Sequence, residues 1–100
     1  GGLKINEPAA DLAVAAALVS SLSGVPVPHD MVVFGEIGLS GEVRHVAQGD
    51  QRIKEASKLG FKNAMIPHLA GKKPLADHGL KLTQVKQLQD ILPLFSEGKN

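Results

Sequence analysis

Apolar and polar positions change their period along the chain, and each change marks an element. Leu3-Lys4-Ile5 alternates and reads as the end of a strand. Asn6-Glu7-Pro8 reads as a helix start: Asn6 or Glu7 can cap it, and Pro8 fits the first turn, where a missing N–H costs nothing. The spacing predicts a helix over Pro8–Leu22. From Ala9 to Val19 only Asp11 carries a charge, so this helix is expected to be buried on most sides. Ser20, Ser21, Ser23 and Gly24 end it, with hydroxyls expected to bond the local backbone, and Pro26 and Pro28 keep it from resuming.

Met31-Val32-Val33-Phe34 is a continuous apolar run between turn residues, the pattern of a strand buried on both faces. Gly38-Leu39-Ser40-Gly41 reads as a turn and Glu42–Val46 as a returning strand, so a β-hairpin is expected here. A second helix is expected over Gly49–Leu59, with Ile53, Ala56 and Leu59 as its apolar face and Gly60 as a left-handed end. Asn63–Ile66 reads as a short strand stopped by Pro67, and His68–Gly79 as a polar loop. Lys81–Val85 alternates as a last strand. Leu88, Ile91, Leu92 and Phe95 then give an amphipathic helix that Pro93 bends or shortens, and residues 96–100 are expected to fray. The order βαββαββα predicts an α/β (α+β) fold with helices packed on a mixed sheet.

A length of 100 residues leaves room for one domain, and 43% hydrophobic against 21% charged residues excludes disorder as the default. With no Trp, no Tyr and three Phe, a reading built on aromatic stacking platforms for bases is weakened. The absence of Cys removes disulfides, thiolate nucleophiles and Cys-ligated zinc. A net charge of +1 does not by itself demand a nucleic-acid partner. No apolar run is long enough to span a bilayer, and Gly1–Lys4 lacks the look of a signal peptide, so a cytoplasmic protein without a membrane partner is expected. A start at Gly1 without Met is expected of a piece of a longer chain.

The sequence carries few motifs of recognisable chemistry. There is no phosphate-binding G-x-x-x-x-G-K-[ST] loop, so ATP binding by this stretch is not expected. His29, His45, His68 and His78 show no metal-ligand spacing and read as solvated side chains, His45 lying nearest a strand end. No G-x-S-x-G or S-x-x-K motif is present. Glu36 and Glu42 could form a carboxylate pair; the plainer reading makes Glu36 a strand residue with a basic or N–H partner and Glu42 a solvated side chain. Arg44, Arg52, Lys54, Lys58 and Lys62 cluster around the second helix, with Lys72 and Lys73 beyond. They read either as a solvated face balanced by Asp50 and Glu55, or as a salt-sensitive surface for a phosphate backbone.

Three stretches carry a family resemblance: Gly1–Ile5 through Ala10–Ala13, Val32–Arg44, and Glu55–Lys62. They resemble the C-terminal region of the RadA (Sms) family of bacterial DNA repair proteins, and that region is similar to the proteolytic domain of Lon proteases. The resemblance implies a Lon-like fold of the ribosomal protein S5 domain 2 type, lacking its first strands, over residues 1–95. In the Lon family a serine nucleophile lies in an Asp-Gly-Pro-Ser-Ala-Gly motif at the start of the Ala-rich helix. The matching stretch here is Asn6-Glu7-Pro8-Ala9-Ala10-Asp11, with Ala9 at the serine position. The catalytic lysine follows a Gly-Gly-Leu segment, and the match there is Ala47-Gln48-Gly49-Asp50, with Asp50 at the lysine position.

With both members of the dyad replaced, the resemblance implies a domain that is not an enzyme. It implies a parent protein that is a ring-forming, DNA-dependent ATPase of recombinational repair and branch migration, built as a hexamer. ATP, Mg and Zn would belong to a RecA-like core and a zinc finger outside this sequence. The implied partners are further copies of the chain, single-stranded or branched DNA, and a recombinase. The candidate DNA contacts are Arg44, Arg52, Lys54, Lys58 and Lys62. Two readings compete with this one: a residual Lon-type serine peptidase using Ser20 or Ser40, and an unrelated small α/β binding module.

Overall fold

A computed structural model describes residues 7–69 and 75–96. The expected strand at Leu3–Ile5, the lysine pair Lys72 and Lys73, and residues 97–100 of the expected tail lie outside the described residues. A 3-10 turn, Pro8–Ala10, leads into helix α1, Asp11–Ser23, which ends at left-handed Gly24. Strand β1 is Met31–Val33, and a small hairpin follows from β2, Glu36–Ile37, and β3, Val43–Arg44. Helix α2 is Gly49–Lys58, strands β4 and β5 are Asn63–Pro67 and Lys81–Val85, and a 3-10 helix, Leu88–Phe95, closes the described chain.

The fold is α/β. Strands β1, β4 and β5 form one sheet in the order β1-β4-β5, both pairs parallel, and β2 and β3 form a separate antiparallel pair. The hairpin is joined to the chain just beyond β5 by an antiparallel bridge between Glu42 and Gln87, so parallel and antiparallel pairings meet there as the expected mixed sheet requires. Helices cover both faces of the parallel sheet, and the alternation of β4 shows which side chain serves which face. Met65 joins Leu12, Ala16, Val43, Val85, Ile91 and Phe95 beneath α1 and the C-terminal 3-10 helix. Its neighbours Ala64 and Ile66 join Phe34, Ile53, Ala56 and Leu80 beneath α2.

Several expectations need correcting. β1 is only partly buried, because it is an edge strand of its sheet, as β5 is on the other side. α1 buries only Leu12 and Ala16, while Val14, Leu18 and Leu22 are exposed: one face on the sheet is all this helix covers. Leu59 is exposed rather than part of the apolar face of α2. Steps of three residues drift by about 60° per step on a 3.6-residue helix, so Leu59 lies about 120° from Ile53. Pro67 does not stop β4 but ends it in register with Val85. The last helix is 3-10 throughout, opened by a capping box in which Gln87 and Asp90 satisfy each other's backbone N–H groups.

Candidate functional site

The start of α1 is pinned to the link between β1 and β2. The N–H of Gly35 donates to the Ala9 carbonyl at 2.9 Å, and the N–H of Leu12 donates to the Gly35 carbonyl at 2.9 Å. The N–H of Ile37 donates to Oδ2 of Asp11 at 3.0 Å. Asp11, which in sequence only interrupts an apolar run, thereby bridges helix and hairpin. A lone carboxylate at the start of an Ala-rich helix is the one sequence signal of that role. Gly35 is required by close approach: a Cβ there would lie 3.1 Å from Cγ1 of Val43 and 3.2 Å from Cδ2 of Leu12.

This junction borders a cleft of about 460 Å³ between α1 and α2. Its small and apolar lining includes Ala9, Ala10, Ala13, Val32, Phe34 and Phe61, and its polar lining is Glu7, Gln48, Gln51, Arg52 and Glu55. Among the described lining residues there is no hydroxyl, thiol, imidazole or amine. Ala9 is buried, with its carbonyl committed to Gly35. Asp50 lies in the first turn of α2 but does not line the cleft, and its Oδ1 is 4.0 Å from Nε2 of His78. The two positions matched to the Lon dyad therefore do not share one cavity.

Arg52 shares the cleft with Ala9. Its Nη2 lies 3.1 Å from Oε2 of Glu7, its Nε donates to the Ala47 carbonyl at 3.0 Å, and its guanidinium carbon sits 5.8 Å from the centre of the Phe34 ring. Arg52 thus ties the entry of α1 to that of α2 through Nε and Nη2, both bonded inside the chain. Arg44 is engaged too, with Nη2 2.8 Å from Oε2 of Glu42. Glu42 folds back over the hairpin turn, where the Ser40 N–H also reaches it at 3.1 Å. Its own backbone N–H, then Arg44 and the Ser40 N–H, hold its carboxyl below the ordinary value.

The basic residues grouped by sequence are therefore divided in space. Lys54 and Lys58, four residues apart, share one exposed stripe of α2. Arg52, two residues before Lys54, lies about 200° round the helix on the other flank. Lys62 is exposed beyond Gly60, its backbone N–H on the Asp30 carbonyl. Among the described residues no ion pair engages Lys54, Lys58 or Lys62.

The other candidates are apart from the cleft. The Ser20 hydroxyl donates to the Val25 carbonyl at 2.6 Å, nine residues and about 14 Å along α1 from Asp11. Ser40 lies exposed in the hairpin turn. Among the described residues no group of three His, Asp or Glu could hold a metal ion, and no helix is long and apolar enough to cross a membrane.

Comparison with known proteins places this arrangement in context. The chain is 47% identical over 97 residues to the DNA repair protein RadA of Escherichia coli (strain K12), covering 97% of this chain and 21% of that protein. It is 51% identical over 92 residues to the DNA repair protein RadA of Brucella abortus (strain 2308), 92% of this chain and 20% of that one. It is 64% identical over 63 residues to the DNA repair protein RadA of Rickettsia bellii (strain RML369-C), 63% of this chain and 14% of that one. The chain thus spans about a fifth of the length of the first two relatives. The family model described as subunit ChlI of Mg-chelatase matches residues 1–70. Since that match runs over more than half of its length, the chain belongs to the family described as subunit ChlI of Mg-chelatase.

Proposed function

We propose that this chain is a Lon-like, non-proteolytic scaffold and DNA-contact domain working within a RadA-type DNA repair protein. The observation that carries the reading is the similarity to proteins named DNA repair protein RadA over 92–97% of the chain in the two longest of those matches. The chemistry of the α1–α2 cleft supports its non-proteolytic half. An alanine methyl has no lone pair with which to attack a carbonyl, and a carboxylate beside His78 cannot act as the neutral amine that would activate a nucleophile. The cleft instead joins its two helices through Glu7 and Arg52.

In this reading the whole protein is a cytoplasmic, ring-forming, DNA-dependent ATPase that moves branched recombination intermediates, with a recombinase among its partners. The residues present here do not fit its cofactors. The chain has no phosphate-binding loop for ATP and Mg and no Cys for Zn, and the described residues hold no metal-sized cluster of acidic and imidazole groups. The part assigned to this domain is to hold subunits and strands in place.

Lys54, Lys58 and Lys62 are the DNA-binding residues we favour, because they are exposed and unengaged by any described carboxylate. Arg44 and Arg52 rank behind them, each already paired within the chain. The test is binding of a single-stranded oligonucleotide between about 50 and 200 mM salt. Changing all three lysines to Ala should weaken binding and flatten the salt dependence by about 0.7 log units per log salt for each phosphate no longer neutralised. Unchanged affinity and slope would remove these lysines from the interface.

A further inference from the structure

We infer that a depression at the C-terminal end of α2 holds one unstacked base of a single DNA strand whose phosphates run over Lys58 and Lys62. The inference rests on the DNA-contact reading above and adds to it the form of DNA that is bound. The depression has a volume of about 310 Å³ and is lined by His29, Asp30, Leu59, Gly60, Phe61 and Lys62. That is the lower end of the range for small-molecule sites, with room for one heterocycle and little more.

Its walls are fixed by the fold. Leu59, Gly60 and Phe61 close α2, their N–H groups donating to the carbonyls of Glu55 at 3.0 Å, Ser57 at 3.1 Å and Ala56 at 3.0 Å. On the facing side the Asp30 carbonyl accepts from the N–H groups of Lys62 at 2.9 Å and Asn63 at 3.1 Å. Oδ1 of Asp30 accepts from Nδ2 of Asn63 at 3.2 Å. A Cβ on Gly60 would meet nothing within 4 Å, so the space beside it is open. Leu59 is 76% exposed and Phe61 is partly buried. A leucine so bare, fixed between the exposed cations Lys58 and Lys62, presents an apolar surface to whatever those cations bring in.

The charges select the occupant. Lys54 and Lys58 lie about 6 Å apart along α2, and Lys62 carries the row past Gly60 to the rim of the depression. Among the described residues no carboxylate pairs with any of the three. A row of cations beside apolar side chains has the two parts of a single-strand site: the cations track the phosphates and the apolar groups take the bases. Asp30 narrows the choice further. Its carboxylate, inside the depression, repels the carboxylate of an acidic peptide that the lysines would otherwise attract. A base is uncharged and carries N–H donors that Asp30 can accept. A base in a duplex would first have to leave its partner and its stack, a cost that a single strand does not meet.

The test uses the whole protein and two readouts. A single-stranded oligonucleotide carrying 5-iodouracil is irradiated in the complex, and the residue it joins is found by peptide mass spectrometry. Binding is measured between about 50 and 200 mM salt for the parent, Leu59→Ala and Phe61→Leu. We expect joining at Phe61 or His29, lost when the complementary strand is annealed. Leu59→Ala should weaken single-strand binding about tenfold through its lost apolar carbons, with the salt slope unchanged because no charge is removed. Since Leu59 is largely exposed, this variant should keep the circular dichroism spectrum of the folded protein. Phe61→Leu keeps an apolar wall, removes the ring and should weaken binding in the same way. Joining only at other residues, equal joining by duplex, or affinity unchanged in both variants would overturn the inference; these are also the results expected when the remainder of the protein covers the depression. A salt slope flattened by the lysine changes, with no effect of Leu59→Ala, overturns the base site alone. A slope indifferent to the lysine changes overturns both readings.

Discussion

Replacing Gly35 with Ala tests the junction on which the α1–α2 cleft rests. The added methyl would sit 3.1 Å from Val43 Cγ1, 3.2 Å from Leu12 Cδ2 and 3.4 Å from Leu12 Cβ. Both neighbours are buried, Leu12 completely. Neither can swing into solvent, and the backbone of Gly35 is held on both sides by its bonds to Ala9 and Leu12. Relief must come from moving α1 away from the hairpin. Overpacking of this kind costs about 1–3 kcal/mol. For a domain of this size each kcal/mol lowers Tm by about 4–8 °C, so a fall of roughly 5–20 °C is expected in a thermal melt followed by circular dichroism. Adding Val43→Ala should return part of that loss by opening space for the methyl, giving a coupling on the order of 1 kcal/mol between the two changes. Gly60→Ala is the control for backbone conformation alone: nothing lies within 4 Å of its Cβ, but φ is +95°, so about 1–2 kcal/mol is expected with no coupling to Val43. A Gly35→Ala protein that melts within a degree or two of the parent, or a double variant that simply sums the two losses, would refute the packing argument.

Three further outcomes follow from the site. Ala9→Ser combined with Asp50→Lys should not confer peptide hydrolysis, because position 50 lies by His78 and does not line the cleft of Ala9; turnover of a fluorogenic peptide by that variant would contradict the placement. Glu42 has a folded-state pKa below its unfolded one, so its contribution to stability is complete above the unfolded carboxylate pKa and is lost as pH falls through the lower folded value. Carbon-detected NMR titration should find Glu42 titrating below an ordinary glutamate, and Arg44→Ala should move its midpoint upward. Arg52→Ala should cost about 1 kcal/mol, the sum of a partly exposed ion pair and a ring contact, in urea unfolding, and leave the salt slope of DNA binding unchanged.

Much of the helix and strand order is legible in the sequence because the apolar period changes at Gly24 and Gly60, left-handed residues that follow α1 and α2. The short strand β2 is not, and the expected hairpin of Met31–Phe34 with Glu42–Val46 is instead made by β2 and β3 while β1 pairs with β4. Strand pairing is not legible either. That Met31 lies beside Asn63, and that Lys81 flanks Asn63 from the other side, depends on how two helices cover opposite faces of one sheet. The burial of α1 is hidden as well, because an alanine-rich helix looks apolar at every angle and composition does not say how many neighbours surround it. The basic cluster is legible as charge but not as surface: Arg44 and Arg52 find Glu42 and Glu7, the latter 45 residues away in the chain. The match of Ala9 and Asp50 to a Lon dyad is a motif resemblance alone, and only the turn of α2 shows that Asp50 leaves the cleft while Arg52 enters it.

The difference in sequence span between the hairpin and the parallel pairs has a consequence for the order of assembly. The hairpin joins Ile37 to Val43, a local pairing of the kind that forms in about 1–10 μs. β1 and β4 are separated in sequence by the hairpin and α2, so their pairing requires closure of a long loop and is expected to be slower. Early compact chains should therefore carry a finished hairpin beside an unzipped central strand.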